Sequence, residues 1–315
     1  MMLQLNTPAF EGSVHGDVGV WLNEIVSAET DGAIEIETFR NSELGGTVQS
    51  VQDVSSGSLD MYVLPYSGGA IVGVNQAVVF DAPYLYDPDN PYEDIYEKTD
   101  PQDSEQAQGI VDALAEAGIR SLGAVVQGTR RVSLSVADDS EPPRNPEMMS
   151  NYKLRAAPNK MFAETVKGLG AQTTNIEPSE LNQALATGSV DGQENPYNII
   201  RASQVYEEQT HVIETNHMHT PLNIMMSEQV FQELTDSQQQ IFYDAVREVQ
   251  PRASETLSST LEEVKSFLRD EGLTLVPPED IEYDSYRSAT RARIREAFSP
   301  LVELFSALAH DGYGA

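Results

Sequence analysis

A short polar run carries the side chains best suited to bind a small molecule. The run is Val190-Asp-Gly-Gln-Glu-Asn-Pro196, and it follows an amphipathic stretch with helical spacing. Its glycine permits a close backbone approach, and a residue that precedes proline favours an extended conformation. We therefore predict a loop at 191–195 in which Asn195 contacts a ligand, while Gln193 and Glu194 have structural roles.

Two arginines are candidates for binding a carboxylate. Arg155 ends a predicted strand at 152–156, and the carboxyl ends of strands in α/β sheets face ligand crevices. A guanidinium group can hold a carboxylate through two parallel hydrogen bonds. Arg130 is a second candidate only through the resemblance described below, and it could equally pair with a surface acid. The alternative for Arg155 is a structural ion pair with Glu180 or Glu194, and both readings stay open at this point.

Weaker candidates are polar side chains near the ends of predicted strands, where a pocket wall is expected. They are Glu11, His15, Tyr66, Ser67 and His219. His217 and His219 would point to the same face of a strand, as a metal-binding pair does. No third ligand is tied to them by its spacing, so we predict neither a metal site nor a cofactor.

Several short motifs follow one another along the chain. They are Asn41-Ser-Glu-Leu-Gly-Gly46, Gly57-Ser-Leu-Asp-Met61, Phe80-Asp-Ala-Pro-Tyr-Leu85, Gly128-Thr-Arg-Arg131, Lys153-Leu-Arg-Ala-Ala-Pro158, Ser179-Glu180 and the polar run above. Together they resemble the solute-binding proteins of tripartite ATP-independent periplasmic (TRAP) transporters, which capture organic acids and pass them to a membrane permease. The resemblance makes Arg155 the carboxylate anchor, Arg130 a supporting arginine and Asn195 a polar ligand contact. The doubled arginine, and Thr129 where an aromatic residue is common, depart from the family pattern.

The resemblance also implies a fold and a set of partners. We expect an α/β protein of the type II periplasmic-binding-protein kind, with two domains, hinge strands and a long helix that spans both domains. The expected domains are residues 1–126 with about 217–250, and residues 127–216 with the C-terminal segment, with a ligand cleft between them. The expected partners are a small carboxylate and the permease subunits, and the protein should act as a periplasmic or cell-surface monomer.

Local patterns predict most of the elements that would position these residues. Strand and helix signals alternate from Leu3 onwards, which favours a parallel-rich sheet with helices on its faces. We predict a connection at 83–106 and a separate short strand at 134–136. A long helical pattern begins with a capping signal at Thr235 and contains Pro251, which should kink or interrupt it.

Composition excludes several classes of protein. The 50 acidic residues outnumber 19 basic ones, so the formal charge is -31 and a nucleic-acid partner is excluded. There is no cysteine and no apolar run as long as a membrane span. We interpret the dispersed acidic residues as a halophile surface, and we expect an export signal to have been removed, because no leader pattern is visible.

The main alternative is an enzyme that acts on an anionic small molecule in an interdomain cleft. We find no Gly-x-Ser-x-Gly elbow, phosphate loop or dinucleotide fingerprint in the sequence, so we predict a binding protein and no catalytic residues.

The charge of -31 predicts a stability that depends on salt. Repulsion between carboxylates is felt over about 30 Å at about 0.01 M salt but only about 3 Å at about 1 M. We expect the midpoint of thermal unfolding to rise by several degrees between these sodium chloride concentrations. A protein of similar size and balanced charge is the control, and an unchanged midpoint would contradict the halophile interpretation.

Overall fold

Strands and helices alternate through the first part of the chain, as the sequence pattern predicts. The elements are β1 (Met2–Asn6), α1 (Val14–Glu29), β2 (Glu35–Phe39), α2 (Thr47–Ser56), β3 (Met61–Pro65), α3 (Pro91–Thr99), α4 (Glu105–Glu116) and β4 (Ile119–Leu134). Helix α1 begins where the Ser13 side chain accepts a hydrogen bond from the Gly16 backbone N–H. Helix α2 ends at Gly57, whose φ of 81° is a conformation that glycine adopts readily.

The rest of the chain is richer in helix. The elements are α5 (Pro146–Met149), β5 (Lys153–Ala156), α6 (Lys160–Gly168), β6 (Gln172–Asn175), α7 (Leu181–Ala186), β7 (Gly192–Asn195), α8 (Tyr197–Ala202), β8 (His211–Ser227), α9 (Glu228–Glu233), α10 (Asp236–Asp270), β9 (Thr274–Val276), α11 (Tyr283–Ala297) and α12 (Val302–Leu308). Together with the first part, these elements form an α/β protein.

The computed structural model describes residues 1–137 and 139–314, and the chain divides into two compact units. The first unit is Met1–Phe80, Asp89–Gln127 and Pro221–Ser258, and the second is Asp81–Pro88, Gly128–Thr220 and Ser259–Ala315. Two of the unit boundaries fall between β3 and α3, and the other three fall within β4, β8 and α10, so these three elements contribute residues to both units. The predicted domain bounds and the predicted cleft between domains stay predictions.

Strand pairing is mostly parallel within each unit. In the first unit β1 pairs in parallel with β2 and β3, and β3 pairs antiparallel with β8. In the second unit β7 lies between β5, to which it is parallel, and β4, to which it is antiparallel. Strand β6 extends this set in parallel beside β5, and β9 pairs in parallel with β8.

Each unit has its own apolar core. Strand β3 is buried at all five positions, which is typical of a strand covered on both faces. In the second unit, helices α7 and α8 and the end of α10 pack together through residues that include Leu185, Ile200, Val264 and Leu268. These cores hold the strands that carry the candidate site residues.

The polar run at 191–195 is not the predicted loop. Residues Gly192–Asn195 form strand β7, and all four are buried. The prediction was wrong because polarity was taken as a sign of solvent exposure. The polar groups of this strand are instead hydrogen-bonded to side chains of neighbouring strands, which satisfies them without water.

Two other local predictions were wrong. The connection predicted at 83–106 contains helix α3, which begins at Pro91, a residue type favoured in the first helical turn. The separate strand predicted at 134–136 does not form, because Leu134 is the last residue of the continuous strand β4.

Helix α10 runs for 35 residues and contains Pro251, so the predicted interruption does not occur. Proline has no backbone N–H group, so Pro251 cannot donate a hydrogen bond to the carbonyl of Arg247, one turn earlier. Beside this position the Tyr96 hydroxyl donates to the Gln250 carbonyl at 2.9 Å and contacts the Ser254 hydroxyl at 2.8 Å. The long helix expected from the family resemblance is therefore present. Among the described residues, none of the helices has the length and apolar character that a membrane crossing requires.

The capping signal at Thr235 is realised in the structure. The Thr235 hydroxyl accepts from the Gln238 backbone N–H at 3.3 Å, and the Gln238 side chain accepts from the Thr235 backbone N–H at 3.0 Å. Because both bonds satisfy N–H groups at the start of α10, we expect Thr235→Ala to destabilise the protein by about 1 kcal/mol. Denaturant unfolding measures this loss, and Thr235→Ser, which keeps the hydroxyl, is the control. Equal stability of the two variants would contradict the capping role.

Candidate functional site

Strand β7 brings the predicted residues of the second unit together. Asn195 is paired with Arg131 of β4, and Gln193 is paired with Arg155 of β5. Because β7 lies between these two strands, the arginines that the sequence separates flank one short polar strand. Arg130, the second candidate arginine, is adjacent to the paired Arg131.

Arg130 and Glu194 form a buried ion pair. The Nη2 atom of Arg130 donates to Glu194 Oε1 at 2.9 Å, and Nε donates to Oε2, which makes the contact bidentate. The exposed fractions of the two side chains are 3% and 1%. The Arg130 guanidinium also lies over the Phe162 ring, with its carbon 4.7 Å from the ring centre. The alternative in which Arg130 pairs with an acid is therefore realised, although its partner is a buried residue and not a surface one.

His217 completes the surroundings of the Glu194 carboxylate. Its Nε2 atom lies 3.2 Å from Glu194 Oε2, and its Nδ1 atom lies 2.8 Å from the Thr215 hydroxyl. Since a carboxylate only accepts, the neutral imidazole carries its proton on Nε2 and accepts from Thr215 at Nδ1. His217 is fully buried, so this arrangement fixes its tautomer.

The ionisation of this cluster follows from burial and from the ion pair. Burial alone would raise the pKa of Glu194, but the charge of Arg130 and the hydrogen bonds from Arg130 and His217 outweigh it and lower that pKa to about 2. Burial lowers the pKa of His217, and the Glu194 carboxylate only partly offsets this effect. At neutral pH the cluster therefore contains an ionised Glu194 and a neutral His217.

Arg155 is buried but is not neutralised by a direct partner. Its exposed fraction is 2%, and its Nε atom donates to the Ile176 carbonyl at 2.7 Å. Its Nη2 atom is buried and has no hydrogen-bond partner among the described residues. Neither Glu180 nor Glu194 forms an ion pair with it, again among the described residues. Burial, together with the charge of Arg130, lowers the pKa of Arg155 to about 10 against the opposing charge of Glu194, so this guanidinium remains protonated at neutral pH.

The amide of Asn195 is oriented by the ion pair. Its Oδ1 atom accepts from Arg130 Nη2 at 2.9 Å, and its Nδ2 atom donates to the Gln193 side chain. Gln193 in turn donates to the Ser133 hydroxyl at 2.6 Å. A primary amide has two N–H groups, so Asn195 can donate a second hydrogen bond to a ligand oxygen.

His219 lies in β8 beside Thr129, the residue that precedes Arg130 and Arg131 in the chain. Its Nδ1 atom is 3.0 Å from the Thr129 hydroxyl, so the threonine that departs from the family pattern orients this imidazole. Burial, with the charge of Arg131 and the contribution of His217, lowers the pKa of His219 to about 3. The ring is therefore neutral at physiological pH and has one donor and one acceptor nitrogen.

The first unit contains the other four predicted residues. Glu11 is exposed in a turn before α1, whereas His15 is buried in the first turn of that helix. The Nε2 atom of His15 lies 2.9 Å from the Val63 carbonyl, and its Nδ1 atom lies 3.1 Å from the Gln127 amide nitrogen. These two partners fix the neutral tautomer with the proton on Nε2.

Tyr66 and Ser67 are buried directly after β3. The Tyr66 hydroxyl lies 3.3 Å from both the Thr99 carbonyl and the Ser121 hydroxyl, and Ser121 donates to Asn223 at 2.7 Å. Within the first unit the phenol thus belongs to a buried polar chain. Ligand contact by these four residues stays a prediction.

Among the described residues, no group of three or more histidine, aspartate or glutamate side chains is arranged to hold a metal ion. His217 and His219 instead have Glu194 and Thr129 as their neighbours, at the distances given above.

Sequence reasoning missed the central position of Glu194, which we predicted only as a structural residue, and it missed His217 as its partner. The sequence offered no local signal for this, because Gln193-Glu194-Asn195 is polar throughout and lacks the alternation of apolar and polar residues that marks a half-buried strand. No local feature links Glu194 to Arg130, because their contact joins residues 64 positions apart.

Removal of the Glu194 charge should leave Arg130 buried without a counter-charge. We expect Glu194→Gln to lower the free energy of unfolding by about 3–5 kcal/mol, as measured by denaturant titration. Glu180→Gln makes the same chemical change at an exposed position of the same unit, and it should alter stability by less than about 0.5 kcal/mol. Similar values for the two variants would show that the ion pair is dispensable.

The chain is similar to known proteins over nearly all of its length. A solute-binding protein from Roseobacter denitrificans is 26% identical over 309 residues, which are 97% of this chain and 91% of that protein. The sialic acid-binding periplasmic protein SiaP of Vibrio cholerae is 26% identical over 304 residues, which are 96% of this chain and 88% of that protein. The crystal structure of a TRAP periplasmic solute-binding protein from Roseobacter denitrificans with bound L-galactonate has a TM-score of 0.85 at 23% identity, with 98% of each chain covered.

These similarities confirm the family resemblance and the two-domain α/β fold class that the motifs predict. They do not test the halophile interpretation or the monomeric state, which stay predictions. Residues 8–301 match the bacterial extracellular solute-binding proteins of family 7, a family of binding proteins and not of enzymes. Its extracellular description agrees with the predicted location outside the cytoplasm. Because this match includes most of the 315 residues, the chain belongs to the bacterial extracellular solute-binding protein family 7.

Proposed function

We propose that this protein captures a hydroxylated organic acid, such as a sugar acid, outside the cytoplasm and delivers it to a TRAP permease. The observation that carries the proposal is the buried Arg155 guanidinium, whose Nη2 atom has no partner among the described residues. A buried charged donor without an acceptor is costly, and a ligand carboxylate would supply the missing acceptor.

The charges of the cluster favour an anion. Arg130 and Glu194 neutralise each other in a bidentate contact, and His217 is neutral. Glu177 and Glu194 attract the charge of Arg155, but among the described residues neither forms an ion pair with it. A carboxylate bound there would neutralise the cluster in surroundings of low dielectric constant, where the attraction is strong. The net charge of -31 opposes the approach of an anion at long range, an effect that salt screens.

The neutral polar groups of Asn195 and His219, both in the second unit, favour a hydroxylated acid. Asn195 has an N–H group to donate, and His219 is a neutral imidazole with a pKa of about 3. Similar proteins were crystallised with such acids, including L-galactonate in the Roseobacter denitrificans protein and D-glucuronate in one from Citrobacter koseri. These two proteins share the fold of this chain at only 23% and 21% identity, and they bind different acids. We therefore propose a class of ligand and not one compound.

The proposed partners follow from the family. TRAP solute-binding proteins work with membrane permease components, and the chain belongs to a family of extracellular solute-binding proteins. A separate TRAP permease in the membrane is therefore the proposed acceptor of the bound acid.

The test is thermal unfolding in about 1 M salt, where the surface charges are screened, with pairs of acids and their neutral parent sugars. Suitable pairs are D-glucuronate with D-glucose and D-galacturonate with D-galactose. A ligand at about 100 times its Kd adds about 2.7 kcal/mol to stability, which raises the midpoint by several degrees. We expect such a rise for at least one acid and none for its sugar.

Arg155 should be essential for this preference. Loss of one partner from a buried charge pair costs about 2–5 kcal/mol, so we expect Arg155→Gln to weaken binding of the acid at least about 30-fold by calorimetry. Arg144→Gln removes an exposed arginine of the same unit and should leave the affinity unchanged. Equal binding of acid and neutral sugar, or undiminished affinity in a folded Arg155→Gln variant, would overturn the proposal.

A further inference from the structure

Among the described residues of the second unit, four non-glycine residues have a backbone conformation that L-amino acids rarely adopt, and hydrogen bonds connect two of them. Asn216, within strand β8, has a φ of 42°, and Tyr84 has a φ of 55°. A non-glycine residue in this region persists only where surrounding contacts hold it in place. The two residues are connected through the carbonyl groups on either side of Asn216.

Tyr84 holds both neighbours of Asn216. Its backbone N–H donates to the His217 carbonyl at 2.8 Å, and its hydroxyl donates to the Thr215 carbonyl at 3.2 Å. Burial raises the pKa of the Tyr84 phenol well above its usual value, so the hydroxyl remains a donor. The backbone and the side chain of one residue thus hold the carbonyl groups on either side of the positive-φ residue Asn216.

The contact of the Tyr84 backbone N–H with the His217 carbonyl holds the backbone of His217. The Thr215 hydroxyl and the Glu194 carboxylate lie on the two ring nitrogens of His217, at 2.8 Å and 3.2 Å. Glu194 binds Arg130, which binds the Oδ1 atom of Asn195 at 2.9 Å. A continuous series of hydrogen bonds therefore leads from Tyr84 to the proposed ligand contact.

The C-terminal segment 310–313 holds Tyr84 from the other side. Arg291 donates to the Tyr84 carbonyl. Its Nη1 and Nη2 atoms also donate to Oδ2 and Oδ1 of Asp311, each at 2.8 Å. The Tyr313 hydroxyl donates to the Pro83 carbonyl at 2.9 Å, and the His310 backbone N–H donates to the Leu85 carbonyl at 3.1 Å. These terminal residues lie beyond residue 301, where the family match ends.

We infer that Tyr84 is a positioning residue for ligand binding, which orients His217 against Glu194, and that the C-terminal segment 310–313 holds it in place. The effect of Tyr84 on ligand affinity rests on the proposed function. Its effect on the His217 imidazole is independent of any ligand.

The experiment compares Tyr84→Phe, which removes only the hydroxyl, with Tyr96→Phe. The Tyr96 hydroxyl also donates to a backbone carbonyl, that of Gln250 at 2.9 Å, but it belongs to the first unit. Affinity for the acid with the largest thermal shift is measured by calorimetry. The ¹⁵N shifts of labelled histidines report the tautomer of His217. Because one hydrogen bond contributes about 1 kcal/mol, we expect about fivefold weaker binding in Tyr84→Phe, together with loss of the single Nε2–H tautomer.

Tyr96→Phe should lower the unfolding midpoint without changing affinity or the His217 signal. The inference is overturned if Tyr84→Phe behaves in the same way. If Tyr84→Phe does not fold, Asp311→Asn and Tyr313→Phe decide, and an unchanged His217 signal in both overturns it. A wild-type protein that does not prefer acids refutes the proposed function, while the His217 signal still tests Tyr84.

Discussion

The buried ion pair between Arg130 and Glu194 is the interaction on which the candidate site depends. It joins β4 to β7, makes a polar strand compatible with a buried position, and orients the amide of Asn195. A buried carboxylate is stable only when its charge is matched and its oxygens accept hydrogen bonds. Arg130 and His217 satisfy both conditions, which is why Glu194 stays ionised despite complete desolvation.

The ion pair also gives the two arginines different roles. One guanidinium is committed to Glu194, and its charge is used inside the protein. The other, on Arg155, is held by the Ile176 carbonyl and retains an unpaired donor. Arg155 therefore has no ion-pair partner among the described residues, although the charges of Glu194 and Glu177 attract it, and this is the basis of the proposed contact with a ligand carboxylate. This interior differs in sign from the acidic protein as a whole, so short-range attraction at the site has to overcome long-range repulsion.

Support for the site extends well beyond the residues that surround the proposed ligand. His217 is oriented by Thr215 and Glu194, and Tyr84 holds the carbonyl groups on either side of Asn216, the residue before it. Such an arrangement keeps the rotamers of the binding residues fixed before the ligand arrives, which reduces the entropy lost on binding. In the proposed function, the polar network contributes to recognition by positioning the residues that contact the ligand.

Local patterns were sufficient to predict the alternation of strands and helices, the capping of α10 at Thr235 and the candidate residues Arg155 and Asn195. Spacing, capping and the chemistry of a guanidinium are properties of a few neighbouring residues, so they can be read without a fold. The pairing of Arg130 with Glu194, the strand at 192–195 and the partners of His217 could not be read in this way. They join residues far apart in the chain, and only the packing of β4, β5, β7 and β8 determines which of the many acidic residues meets which arginine.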